Sequence, residues 1–156
     1  MPDPHWLARA GPLLQTAQAA KARLADSLHS DFLEERRQAL HEGMVQFSGL
    51  LEAVDGMADP TSAGGRSARD QFRSALVGLV EGCRRGSLVL ERAAMEIERL
   101  RRKGLRGRPR PSRIYSLFSD DPDAWELEVE QAAGCVDELM STAAAVDPAE
   151  ARPAAS

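Results

Sequence analysis

Aromatic residues make up only 4% of this 156-residue chain, and there is a single tyrosine. A core must therefore be built from Leu, Val, Ala, Met and Ile. Because β-branched and aromatic side chains are what fill strands, that shortage points to helices. Nowhere do four or more residues alternate apolar and polar with β-branched enrichment, so strand signals are lacking too. No run approaches the ~18 apolar residues of a membrane span, and "MPDPHWLARAGPLL" has no basic region leading into an apolar one. The expectation is a cytoplasmic protein without a membrane partner. Cys83 and Cys135 are too few and too far apart for a disulfide framework or a Cys-x-x-Cys site, and read as reduced thiols.

The chemistry of known sites is equally scarce. His5, His29 and His41 are not spaced to share a metal, and "HEGMV" at 41–45 lacks the second histidine of a helical zinc motif. "AGGRS" at 63–67 lacks the spacing and lysine of a phosphate-cradling loop. The acidic pairs, Glu34 with Glu35 and Glu126, Glu128 and Glu130, suit solvated helix faces better than catalytic carboxylates. A non-enzymatic protein with no cofactor and no metal is expected.

What is present is helical grammar. "DPHW" and "DDPDAW" each set Asp at an N-cap and Pro at the first helical position, ahead of an aromatic. Ser67 with Asp70 resembles a capping box just past the breaker-rich "ADPTSAGG". From there Phe72, Leu76, Leu79, Cys83, Gly86, Leu90, Ala93, Ile97 and Leu100 recur at spacings of three and four, a sustained heptad seam. Leu40, Met44, Phe47, Leu51, Val54 and Ala58 form a second seam, and Leu13, Ala17, Ala20 and Leu24 a third in another phase. The slip near Ser30 and Asp31 indicates a bend or break, with Asp31 and Glu34 as caps for the next helix. Trp125, Val129, Ala132, Val136, Leu139 and Ala143 make a last, alanine-rich seam.

These seams predict an all-α fold, an elongated antiparallel helical hairpin or bundle of coiled-coil character. A helix over 67–104, about 55 Å long by its rise, would pair with the first half, and a short third helix would close the chain. One domain is expected over 1–146, with an exposed basic linker near 103–119 and a disordered tail at 147–156.

Charge singles out that linker. Residues 1–98 carry 11 basic and 14 acidic groups, residues 99–118 carry eight basic and none acidic, and residues 119–156 carry one basic and ten acidic. Within "RRKGLRGRPRPSRIY", Arg106, Gly107, Arg108 and Pro109 match the core of an AT-hook, whose guanidinium groups enter a narrow A·T-rich minor groove. The other reading is a hinge, ended by glycine and proline, whose cations favour a helix C-terminus. Ile114, Tyr115, Leu117 and Phe118 form an apolar plug that either packs back or anchors a partner.

Residues 33 to about 115 resemble flagellar export chaperones of the FlgN type. "LEERRQALHEGMVQFSGLLEAVDGM" is similar to the long charged first helix of that family. "LVEGCRRGSLVLERAAMEIERLRR" is similar to its Arg-Asn-Gly and leucine pattern, and "RIYSLF" falls where the family places a tyrosine. The resemblance implies a cytoplasmic chaperone or adaptor in type III secretion that holds a helical or disordered end of a hook-associated client by a helix-in-groove mode. The client would lie on the seam formed by Leu76, Leu79, Cys83, Gly86, Leu90 and Ile97, and Tyr115 would dock at the export gate. Gly86 suits either a client approach or a tight crossing within the bundle. Cys83, on the same seam, reads as a small buried hydrophobe. Two other functions stand beside this one: a small DNA-associated protein using Arg106 to Pro109, and a structural coiled-coil subunit that oligomerises.

Overall fold

The computed structural model describes residues 4–103 and 124–145. Among these the chain forms four helices and no strand: α1 (Pro4–Leu28), α2 (Leu33–Asp55), α3 (Ala63–Arg102) and α4 (Ala124–Ala145). None of them is long and apolar enough to cross a membrane. The all-α antiparallel hairpin or bundle anticipated from the sequence is what forms. The expected bend or break in the first half is a full break that gives two antiparallel helices, so the C-terminal helix is the fourth wall of an up-and-down bundle.

The break falls at residues 29–32, where the seam slips, but its caps are not Asp31 and Glu34. Phe32 occupies the N-cap position in extended backbone with no side-chain cap bond. Ser30 organises the turn instead: its hydroxyl accepts from the Phe32 amide at 3.1 Å and bonds the Glu35 carboxylate, while its carbonyl accepts from Arg36 Nε at 2.7 Å. Likewise, α3 begins inside the stretch read as a breaker loop. Ser62, not Ser67, is its N-cap, with the hydroxyl accepting from the Gly65 amide at 2.9 Å. Ala63 to Gly65 enter the helix because Gly65 and Ala68 are buried there, and packing outweighs the weak intrinsic preference of glycine.

Each helix packs on its two neighbours in the ring α1–α2–α3–α4, and the broadest contact joins α2 to α3. One apolar core runs through all four helices, from Trp6, Leu14 and Leu24 through Leu40 and Phe47 to Phe72, Leu79, Leu90, Trp125 and Val136. At one end Trp6 meets Phe72 edge to face, with ring centroids 6.5 Å apart.

The pairing of α2 with α3 fixes where that core stops. Asp55 bonds Arg73 at 2.9 Å, and Gly43 lies opposite Cys83, so steps down α2 match steps up α3. Leu33, the first residue of α2, is then level with about Ala93. Beyond that level α3 runs on without α2 beside it, and nothing after Ala93 in α3 is buried. Arg99, Arg101 and Arg102 crowd its last turn, where cations favour the helix dipole, and pair with Glu96 and Glu98.

Candidate functional site

The seam expected to hold a client is occupied by the protein's own helices. Leu76, Leu79, Cys83 and Leu90 are wholly buried, Gly86 is buried, and Ile97 is half-buried against the edge of the core. The first four lie in the core shared by all four helices, with the Cys83 sulfur opposite Gly43 of α2. As a surface groove this seam does not exist in the folded chain, because its neighbours in sequence already cover it.

Gly86 belongs to a different feature. It lies one turn after Gly82 and two after Gly78, so the three glycines line one flank of α3. Helix α4 lies antiparallel against that flank at a distance only glycine permits. A β-carbon built on Gly86 would stand 2.6 Å from Trp125 Cε3, and one on Gly82 would stand 2.6 Å from Val129 Cγ2. On Gly78 it would lie 3.0 Å from the Ala132 β-carbon. The indole of Trp125 therefore rests on bare α3 backbone and is only 5% exposed. Val136 and Leu139 continue the same face of α4 into the core, and Ala143 is half-buried behind them.

Charged groups border the contact on both sides. Arg85 donates to Glu128 Oε1 at 2.6 Å, while Glu128 Oε2 is buried without a partner. Across α1, the Lys21 ammonium bonds Asp137, which also takes a bond from the Gln18 side chain; Gln18 Oε1 is buried without a partner. The Lys21 hydrogen bond holds the Asp137 carboxyl below its usual range, against the opposing effect of partial burial. On the interior side of α3, burial pushes the Cys83 thiol up to about 12, which removes it as a nucleophile near neutral pH. Cys135 of α4 is exposed.

Among the described residues, no three of His, Cys, Asp and Glu come together to hold a metal ion, and His29 and His41 are exposed. An open recess of about 660 Å³ between the start of α3 and α4 has Arg66, Ser67, Asp70, Gln71, Cys135 and Glu138 among its lining residues and no histidine. Tyr115, the apolar plug around it, Arg106 to Pro109 and the expected tail at 147–156 lie outside the described residues.

The sequence reading singled out Gly86 but passed over Gly78 and Gly82. Their signal was available as glycine at i, i+4 and i+8, a single helix flank. The Arg85–Glu128 and Lys21–Asp137 pairs join residues far apart in sequence and carry no local signal.

No family model, curated protein or solved structure matches the chain.

Proposed function

We propose that the protein is a non-enzymatic chaperone or adaptor that holds a helical segment of a client protein on α3, in the manner of the flagellar export chaperones it resembles. One observation supports this above the others: the flank formed by Gly78, Gly82 and Gly86 receives a helix, with an aromatic and a β-branched side chain pressed onto backbone. Helix-in-groove recognition uses anchors at this spacing and needs no catalytic group. The client helix takes the flank that α4 holds in the free protein, and the interior seam through Leu76, Leu79, Cys83 and Leu90 serves as the support beneath it. Tyr115 then provides the contact with the export gate. A hook-associated client fits the resemblance and the cytoplasmic setting it implies.

The test is gel filtration of the full chain with a purified hook-associated junction protein, intact or lacking its terminal helical segments. A stoichiometric complex that disappears with those segments is expected, and Tyr115→Ala should leave it intact. If the two proteins elute separately under all conditions, the reading is wrong. Preferential binding of an A·T-rich duplex, lost in Arg108→Ala, would transfer the function to the Arg106 to Pro109 segment.

A further inference from the structure

Helix α3 outruns all three of its neighbours. With Trp125 on Gly86, α4 begins level with about Ser87. Leu24 and Cys83 both lie beside Gly43, so α1, which runs the same way as α3, ends at about that level too. From Leu88 to Arg102 α3 then continues for about 22 Å by its rise, with only the start of α2 beside its lower part. On this length the line of Gly78, Gly82 and Gly86 passes into Val89, Ala93 and Leu100, with Ile97 next to them.

Exposure along the free length is uneven. Met95, on the outward face, is 68% exposed. Leu100 is half-buried, although it lies seven residues past the level at which α2 begins and beyond the ends of α1 and α4. A bare helix end would leave both side chains in solvent. The difference points to a cover on the α4 side of α3 that none of the four helices supplies.

The course of the chain singles out the cover. The residues between Lys103 and Ala124 start at the tip of α3 and return to the level of Ser87, so both ends of that stretch lie on the uncovered length. Its one apolar cluster is Ile114, Tyr115, Leu117 and Phe118. Phe118 stands six residues before Ala124, an extended reach of about 20 Å, which takes in every level of α3 from Ser87 to Leu100. Charge agrees with this path. Asp120, Asp121 and Asp123 fall between the cluster and α4, and the exposed Arg92 lies on the α4 side of α3, one heptad after the Arg85 that pairs with Glu128. A second copy of the chain fits less well, since a stable dimer covers roughly 800 Å² on each partner and two turns of free helix fall short of that.

We infer that the α4-side face of α3 formed by Val89, Ile97 and Leu100 is the docking face for Ile114, Leu117 and Phe118 of the same chain. The contact holds Tyr115 at the end of the bundle, and an outside partner that takes Tyr115 competes with α3 for its neighbours. The inference does not depend on the chaperone reading.

The test is disulfide trapping in the full chain carrying Cys135→Ser, with Leu100→Cys and Phe118→Cys; Cys83 is enclosed and stays. Under copper-phenanthroline at micromolar protein, a bond within one chain should form at least about tenfold faster than in a control that pairs Phe118→Cys with Val45→Cys, an exposed position on α2. A bond between two chains would give the face to a second copy, and a rate no faster than the control would leave the cluster elsewhere. Either result overturns the inference.

Hydrogen exchange keeps the test open should the cysteines themselves loosen the contact. In a chain with Ile114→Ser, Leu117→Ser and Phe118→Ser, the amides of Met95 to Arg102 should exchange at least about tenfold faster, and those of Leu76 to Leu90 should not change. Unaltered exchange near the tip overturns the inference, and so does a rise along the whole of α3, which would make the cluster a support of the bundle rather than a cover of its end. Neither measurement involves a client. Failure to bind a hook-associated protein would leave both results standing, and failure of both would leave that complex untouched.

Discussion

Helix α3 packs differently on its two sides. On the side of α2 and α1 the seam is filled by side chains, with Leu76, Leu79, Cys83 and Leu90 of α3 in one core cluster with Leu24, Leu40 and Phe47, and Gly43 lies close against the Cys83 sulfur. On the side of α4 the seam is filled from one direction, since α3 contributes three glycines and α4 contributes the bulk. The first arrangement spreads packing over both helices. The second makes one helix a mould and the other its cast.

The largest effect that would test this contrast is a charge on the α2 side. Leu90→Asp buries an unpaired carboxylate at a fully enclosed position, with a cost on the order of 4–5 kcal/mol. Circular dichroism should show the cooperative melt of the whole bundle lost or sharply lowered. A stable, fully helical Leu90→Asp chain would mean that Leu90 is not enclosed in the core.

Next comes a contrast in reactivity between the two thiols. Cys135 should react with a thiol reagent at mildly alkaline pH in the native protein, while Cys83 should react only after denaturant is added. Because Cys83 belongs to the α2 side, it should stay protected in a chain weakened by Trp125→Ala and Val129→Ala. Its exposure there would show that the two sides open together.

Glycine substitutions come third, and here the sign is the test. Gly86→Ala forces a β-carbon into the Trp125 ring and should destabilise α4 docking by about 1–3 kcal/mol, less the helix preference that alanine brings. In a Trp6→Phe background, Trp125 emission should shift to the red. Gly49→Ala, in open space on α2, should stabilise by up to about 1 kcal/mol. Equal effects at both positions would erase the distinction between mould and cast.

The smallest effect belongs to the rim. Since folding lowers the Asp137 pKa, the stability it contributes is complete above the ordinary aspartate value of about 3.9 and is lost as pH falls through its lower folded value. Asp137→Asn should therefore lower the melting temperature slightly at neutral pH, less in high salt, and not at all in strong acid. A difference that persists in acid would assign the effect to packing.

Much of this was legible in the sequence, and the misses share a cause. The α3 seam from Phe72 to Ala93 is buried as its spacing foretold, and so are Trp125, Val129, Ala132, Val136 and Leu139. Ile97 and Leu100 continue the heptad without being buried, because a seam records only one helix, and the partner α2 ends level with Ala93. On α2 the spacing favoured Met44 and Leu51, but Gly43 and Leu50 are the buried positions, one residue earlier. Adjacent residues border the same seam, and the need to admit the Cys83 sulfur chose glycine over the larger side chain. The α1 seam shifts by one at its start in the same way, with Leu14 buried and Leu13 half-buried. For the site, apolar periodicity drew attention to the residues of the interior seam, while the flank that α4 covers is marked by missing side chains.

Helices α1 and α2 are joined by four residues, whereas twenty-one separate Arg102 from Ala124. A covalent tether of that kind keeps α4 at an effective concentration on the order of millimolar at its own flank. A free helix of equal intrinsic affinity, present at micromolar level, would hold the flank only about one time in a thousand. The tether thus sets a threshold: α4 keeps its flank against any free helix whose affinity or local abundance does not exceed that of a segment that never diffuses away.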